Sequence, residues 1–342
     1  MVNVSLVGFG RVGRDIFRQT LEEDNINIVS VSDTADKDNL IYLLKYDSIY
    51  GKLSHEVNVS DDVITVNGKE TIFNSWKNAD ESNWTSLNTD IVILATGKPQ
   101  NLDEAQNHIS KGAKKVFIAS TPVDFSNIPL LVSGCNDESI SLESDIISFG
   151  SNTANAVGPI LKVIESEYGI NEVFLTTVHG YSNSNRLADV AGAGFRKNRA
   201  AGENIIPSIT NSSKVIESAL PMLKDKIASF SMTVPVPDGS TIDLTLNLKT
   251  KTSKDEVNSY LEKVTADNSL KNIIGFTYDP IVSSDVVGNS LSGLIDGLST
   301  MCIDEDKLKL IIWFDNGWGY ACLLYTSPSP RDRTRSRMPS SA

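Results

Sequence analysis

Gly8-Phe9-Gly10-Arg11-Val12-Gly13 follows an apolar run, Val2, Val4, Leu6 and Val7, and opens a segment in which Val12, Ile16 and Phe17 share one helical face. Twenty residues beyond Gly13, Asp33 closes a second apolar run containing Ile26, Ile28, Val29 and Val31. A strand, a glycine-rich turn, a helix and a second strand ending in an acid form the Rossmann unit that holds a dinucleotide. Gly8 permits the tight turn, Gly10 lets a pyrophosphate approach the backbone, and Gly13 lets the helix pack closely. The free N–H groups of the first helical turn then face the anion. Asp33 accepts hydrogen bonds from the adenosine ribose and repels a 2′-phosphate, which favours NAD. Thr34, with no arginine nearby, leaves NADP open as a second cofactor.

Outward from this unit the first half keeps the same alternation. Further buried strands are expected at Ile91–Leu94, Val116–Ala119, Leu130–Val132 and Ile146–Phe149, and a helix carries Leu102, Ala105 and Ile109 on one face. Continuous apolar strands separated by helices imply a parallel sheet covered on both sides. The second half differs. Ile242, Leu244, Leu246 and Leu248 alternate with polar residues, as in an antiparallel strand with one wet face. Ser253 and Glu256 form a capping box ahead of Val257, Leu261 and Val264. The fold class is therefore α/β: a Rossmann-type parallel-sheet domain over 1–150, then an α+β domain with a mostly antiparallel sheet over 151–314. Residues 315–322 return to the first domain.

The chain has 342 residues, 40% hydrophobic and 22% charged, and a formal charge of −12. That length suits two domains. No apolar run is long enough to span a bilayer, and the N-terminus lacks the pattern of a secretory signal. The acidic balance opposes a nucleic-acid role, which needs clustered lysine and arginine. Three scattered cysteines, Cys135, Cys302 and Cys322, give neither a disulfide framework nor a metal pattern. A cytoplasmic protein without a metal is expected.

Residues 323–342 differ in composition, with Arg331, Arg333, Arg335, Arg337, Pro328, Pro330 and Pro339 among many serines. Such a segment buries too little to order itself. The string CLLYTSPSPRDRTRSRMPSSA resembles translated adapter read-through, so these residues are expected to be an artefactual, disordered tail outside the fold.

The chain resembles the phosphorylating glyceraldehyde-3-phosphate dehydrogenase family. The similarity runs through GFGRVGR, SDT (32–34), LLKYDS (43–48), ATG (95–97) and GAKKV (112–116). It continues through TTVHGY (176–181), RAAGENIIPS (199–208), VP (234–235), SSD (283–285) and WFDNGWGYA (313–321). LLKYDS and HGYSNSNRLAD look closer to the photosynthetic branch, which also keeps NADP open. The resemblance implies an oxidoreductase of carbohydrate metabolism, with Gly8, Gly10, Arg11, Val12, Gly13, Asp33, Thr96, Gly97 and Asn316 on the cofactor. It implies His179 as general base and a small phosphorylated aldehyde or related anion as substrate. Segment 181–204 resembles the loop that packs between subunits, which implies a homotetramer.

Two positions depart from the family. Its nucleophilic cysteine lies in S-C-T-T-N-C; here the stretch is Ser151-Asn152-Thr153-Ala154-Asn155-Ala156, with Asn152 at the nucleophile position. An asparagine amide cannot form the thiohemiacetal. Where the family clamps the substrate phosphate with an arginine stands Thr233. The other anion-site positions match as Ser151, Thr153, Ser182 and Thr210, with Asn211 in place of glycine. The family's closing helix after Gly-Tyr-Ala is expected to be missing, because the tail begins at Cys322. Two readings follow: an oxidoreductase of altered chemistry, or a catalytically silent dinucleotide-binding paralogue acting as a cofactor sensor or within a mixed tetramer.

Overall fold

The computed structural model describes residues 1–140, 144–192, 194–267 and 270–326. The chain divides into two compact units. One comprises Met1–Leu131, Asn136–Gly150 and the chain from Ala321; the other comprises Val132–Cys135 and Ser151–Tyr320.

In the first unit the order is β1 (Val2–Val7), α1 (Arg11–Thr20), β2 (Ile26–Ser32), α2 (Lys37–Lys45), and a small ladder of β3 (Tyr46–Asp47) with β4 (Gly51–Lys52). Next come β5 (Val57–Ser60), β6 (Val63–Val66), β7 (Lys69–Asn74), β8 (Ile91–Leu94), α3 (Leu102–Ser110), β9 (Lys115–Ile118) and β10 (Ile146–Ser148). The sheet order is β10-β9-β8-β1-β2-β7-β6-β5. The strands from β10 to β7 pair in parallel, and β6 and β5 extend the edge as antiparallel strands. Leu6, Val92 and Ile93 are buried at its centre.

Leu130–Val132 was expected to be a strand and is not one. Leu130 makes a single bridge to Ser148, so the run is apolar because it is buried rather than because it is paired. The face of α3 also differs: Ala105 and His108 are buried, whereas Leu102 is exposed.

The second unit holds α4 (Asn152–Glu167), β11 (Ile170–Gly180), β12 (Ile206–Ser208), α5 (Ser212–Ala219), β13 (Ile227–Val234) and β14 (Ser240–Leu248). It continues with α6 (Lys254–Ala266), β15 (Ile274–Thr277), β16 (Gly293–Asp296), β17 (Met301–Ile303) and β18 (Lys307–Phe314). Strands run β12-β13-β11-β14-β18-β16-β15, with β17 also on β18. Only β11/β13 and β15/β16 pair in parallel. Ile242, Leu244, Leu246 and Leu248 face inward with Leu308, Leu310 and Ile312. Helix α4 packs closely on β16, where a Cβ at Gly293 would lie 2.7 Å from the carbonyl oxygen of Ala156. The capping box of Ser253 and Glu256 opens α6.

A helix after the Gly-Tyr-Ala motif was expected to be missing. Instead α7 spans Trp318–Thr326, and Leu323 and Leu324 are buried. Their apolar side chains continue the helix, although bulk composition grouped them with the arginine-rich residues that follow. The remainder of the expected tail, 327–342, lies outside the described residues.

Candidate functional site

In the first unit two glycines of the turn, Gly8 and Gly13, each have their own steric reason. Gly8 has φ +95°, and a Cβ there would sit 2.6 Å from the carbonyl oxygen of Ala95. A Cβ at Gly13 would lie 2.2 Å from the carbonyl oxygen of Gly8. Gly10 is different, because a Cβ there would meet nothing within 4 Å. It is the N-cap of α1 and offers no side chain to the first-turn N–H groups. The fold does not require a glycine at this position; a ligand approaching the backbone would.

Asp33 is fixed beside this turn. One carboxylate oxygen accepts the Phe9 N–H at 2.7 Å and the other the Ala35 N–H at 2.9 Å. Arg11 and Val12 are half-buried at the start of α1. Beyond the C-terminal ends of β1, β2 and β8 lies a cavity of about 240 Å³ lined by Val7, Ser32, Leu94, Thr96, Trp76 and His108, among others. This is where an open α/β sheet binds its ligand. Thr96 Oγ1 accepts the Gln100 Nε2–H at 3.0 Å, and Gly97 takes φ +71° on the exposed rim. In the wall of the cavity Trp84 meets Trp76 edge-on and donates from its indole to His108 Nδ1 at 3.2 Å. Burial pushes the His108 imidazole down to about 4, so it is neutral at physiological pH.

In the second unit the start of α4 carries the degenerate position. Ser151 caps the helix, its Oγ accepting the Ala154 N–H at 3.3 Å. Asn152 is tied at both ends of its amide. Nδ2 donates to the carbonyl of Asn316 at 2.9 Å, and Oδ1 accepts the Thr153 N–H at 2.8 Å. Thr153 is buried.

His179 is half-buried near the end of β11 and 6.1 Å, ring to ring, from Phe314. Its Nδ1 lies 2.6 Å from the carbonyl oxygen of Gly180; a carbonyl can only accept, so Nδ1 carries a proton. Thr233 stands in Cα register with His179 on the neighbouring parallel strand β13. Gly180 N–H donates to Ser240 Oγ at 3.1 Å, and Ser240 Oγ donates to Asn316 Oδ1. His179, Asn316 and Asn152 thus lie along one hydrogen-bonded path.

Ser182 and Thr210 are engaged elsewhere. Ser182 Oγ shares a hydrogen bond with Ser184 Oγ at 2.9 Å, and Thr210 Oγ1 shares one with Ser212 Oγ at 2.8 Å. Asn211 is the N-cap of α5 without a side-chain cap bond. Strand β12 pairs antiparallel with β13, Ile206 with Thr233 and Ser208 with Ser231, so the chain runs away from Thr233 on its way to Thr210.

Sequence reading missed Ser240, Asp238 and Asp315. Asp238 accepts the N–H groups of Gly239 at 2.8 Å and Asn316 at 3.0 Å. Asp315 accepts those of Gly288, Gly317 and Trp318. Burial, and then the nearby Asp238 charge, raise the Asp315 carboxyl above its ordinary value. The only sequence signal was the polar cluster Asp238-Gly239-Ser240, directly before a strictly alternating strand.

Asn316 has an amide nitrogen that is buried and has no hydrogen-bond partner among the described residues. A donor in this state fits a carbonyl acceptor such as that of a carboxamide, and in the first unit the open Gly10 cradle fits phosphate oxygens, both groups that a dinucleotide carries. No group of three or more His, Cys, Asp or Glu is arranged to hold a metal ion among the described residues, and no described helix is long and apolar enough to cross a membrane.

The pattern of the glyceraldehyde 3-phosphate dehydrogenase NAD binding domain matches residues 2–102, and that of the C-terminal domain of the same enzyme matches 151–316. The chain is 38% identical over 320 residues to the glyceraldehyde-3-phosphate dehydrogenase of Geobacillus stearothermophilus, covering 94% of this chain and 95% of the relative. It is 40% identical over 321 residues to glyceraldehyde-3-phosphate dehydrogenase 2 of Streptomyces avermitilis, with the same coverage of 94% and 95%. Identity to glyceraldehyde-3-phosphate dehydrogenase 2 of Bacillus subtilis is 37% over 322 residues, 94% of each chain. The chain belongs to the glyceraldehyde-3-phosphate dehydrogenase family, as an NAD-binding oxidoreductase of that family.

Proposed function

We propose that this protein binds NAD and a small phosphorylated aldehyde or related anion without joining covalently to it, and so lacks the family's thioester chemistry. The observation that carries this reading is the doubly tied amide of Asn152. Its nitrogen lone pair is delocalised, and the group has no accessible anion. Its oxygen also takes the Thr153 N–H, a first-turn donor of the kind that would otherwise stabilise an oxyanion. Loss of the nucleophile in other covalent enzymes costs roughly a millionfold in turnover.

The anion side is weakened as well. An arginine at position 233 would add charge-assisted hydrogen bonds worth about 1.5–3 kcal/mol each, which a threonine hydroxyl does not replace. Ser151, Thr153, Ser182, Thr210 and Asn211 leave a neutral site. NAD, when bound, supplies a hydride acceptor. Gly10, Arg11, Val12 and Asp33 hold its adenosine and pyrophosphate side with Thr96 and Gly97, and Asn316 holds its carboxamide. The Asp33 carboxylate selects against a 2′-phosphate, making NADP the weaker partner.

His179 favours a second reading. With Nδ1 donating to Gly180, the basic nitrogen of a neutral His179 is Nε2, the atom that would take the hydroxyl proton of a hydrated aldehyde as general base. Bound NAD would supply the acceptor for the hydride, so the product would be a free carboxylic acid, with no phosphate consumed. The exposed Leu187, Phe195 and Ile209 are side chains that assembly would cover, which supports a homotetramer, or a mixed tetramer with active subunits. We place the protein in the cytoplasm.

Calorimetric titration with NAD, followed by incubation with small aldehydes with and without phosphate, tests these readings. NAD binding with no acylated peptide by mass spectrometry is expected. Acyl mass on the peptide containing Asn152 would overturn the proposal, and phosphate-independent formation of NADH and acid would establish the second reading.

A further inference from the structure

Ser240 is completely buried at the first position of β14, between two partners with opposite requirements. The Gly180 N–H donates to its oxygen at 3.1 Å, and its own hydroxyl donates to Asn316 Oδ1. A backbone N–H can only donate, so one serine lone pair is committed and the single hydroxyl proton goes to the amide. The main chain of Asn316 is already anchored. Its N–H goes to Asp238 at 3.0 Å, and its carbonyl takes Asn152 Nδ2 at 2.9 Å. What remains adjustable is which end of the side-chain amide faces which way.

With Oδ1 held by Ser240, Nδ2 is left buried and without a partner among the described residues. It lies over Gly180, where a Cβ would come within 2.9 Å, so the glycine leaves room for the amide. A buried donor in this state is costly until an acceptor arrives.

We infer that Ser240 is a positioning residue: it fixes Asn316 so that the site presents an amide donor, and thereby selects the carbonyl oxygen of the nicotinamide carboxamide. The inference rests on the reading that Asn316 meets that carboxamide. If Ser240 is removed, the amide is free to turn and present its oxygen. NAD can follow such a turn, because a carboxamide both donates and accepts. A methyl ketone in its place can only accept.

The test is calorimetric titration of wild type, Ser240→Ala and Ser240→Cys with NAD, 3-acetylpyridine adenine dinucleotide and ADP-ribose, alongside thermal melts. Wild type is expected to bind NAD and the acetyl analogue within about threefold, and ADP-ribose more weakly, since one retained hydrogen bond sets the difference. Ser240→Ala should weaken the acetyl analogue about tenfold and NAD only a few fold, leaving ADP-ribose unchanged; the weaker thiol donor of Ser240→Cys should fall between. Equal weakening of all three ligands would mean a merely structural role and overturn the inference, as would no weakening at all. Wild-type rejection of the acetyl analogue would also overturn it. If wild type binds ADP-ribose as tightly as NAD, the carboxamide reading of Asn316 fails first, and the inference with it.

Discussion

The side-chain amide of Asn152 reaches across 164 positions of sequence to the carbonyl of Asn316, at 2.9 Å. This joins the first turn of α4 to the segment after β18, and the same amide caps its own helix through the Thr153 N–H. A thiol makes neither bond well. Asn152→Cys should therefore lower stability by about 1–2 kcal/mol, a few degrees in melting temperature. It should restore little phosphate-dependent turnover, because Thr233 still faces His179 where charge is needed. Asn152→Cys with Thr233→Arg should restore more. Equal rates for the two variants would show that the arginine position is not what limits the anion site.

Two glycines of the same turn should behave in opposite ways. Alanine at Gly13 drives a Cβ to 2.2 Å from the Gly8 carbonyl oxygen, so Gly13→Ala should destabilise the first unit by about 1–3 kcal/mol. Gly10→Ala meets no protein atom within 4 Å, and its backbone, at φ −69° and ψ −159°, suits an L-residue. Its melting temperature should stay near wild type while NAD affinity falls at least about tenfold, since the methyl stands where phosphate must approach. Unchanged affinity in Gly10→Ala would remove the turn from the cofactor site.

That turn was legible in sequence because its constraints are local and steric. The alternating β14 was legible for a similar reason: the pleat sorts Ile242 to Leu248 by side. What escaped reading was polar and non-local. Ser240, Asp238 and Asp315 find their partners across long sequence separations, and neither periodicity nor composition encodes that pairing. The edge hairpin of β5 and β6 also went unread, because its exposed side chains interrupt the apolar signal.

Leu324 gives the clearest test of where the fold ends. It is 1% exposed, within a segment that composition assigns to the tail. Leu324→Ala should cost about 2–4 kcal/mol in chemical denaturation, the usual range for a buried leucine. A variant with wild-type stability would restore the expectation that residues from 323 onward stand outside the fold.

His108 links the cavity wall to pH. It is buried and neutral, accepts the Trp84 indole N–H, and is held down to about 4 by desolvation, against an ordinary value of 6.5. Between those two values the unfolded chain binds a proton that the folded protein does not, so stability rises with pH there. This contribution is complete above about pH 6.5 and is lost as the pH falls toward 4, by up to about 3 kcal/mol. His108→Gln keeps an acceptor for Trp84 but cannot titrate. Denaturation midpoints measured from pH 7.5 to 4.5 should fall less steeply for the glutamine variant than for wild type. Parallel profiles would mean that the imidazole takes up its proton over the same pH range folded as unfolded, and that burial does not hold it neutral.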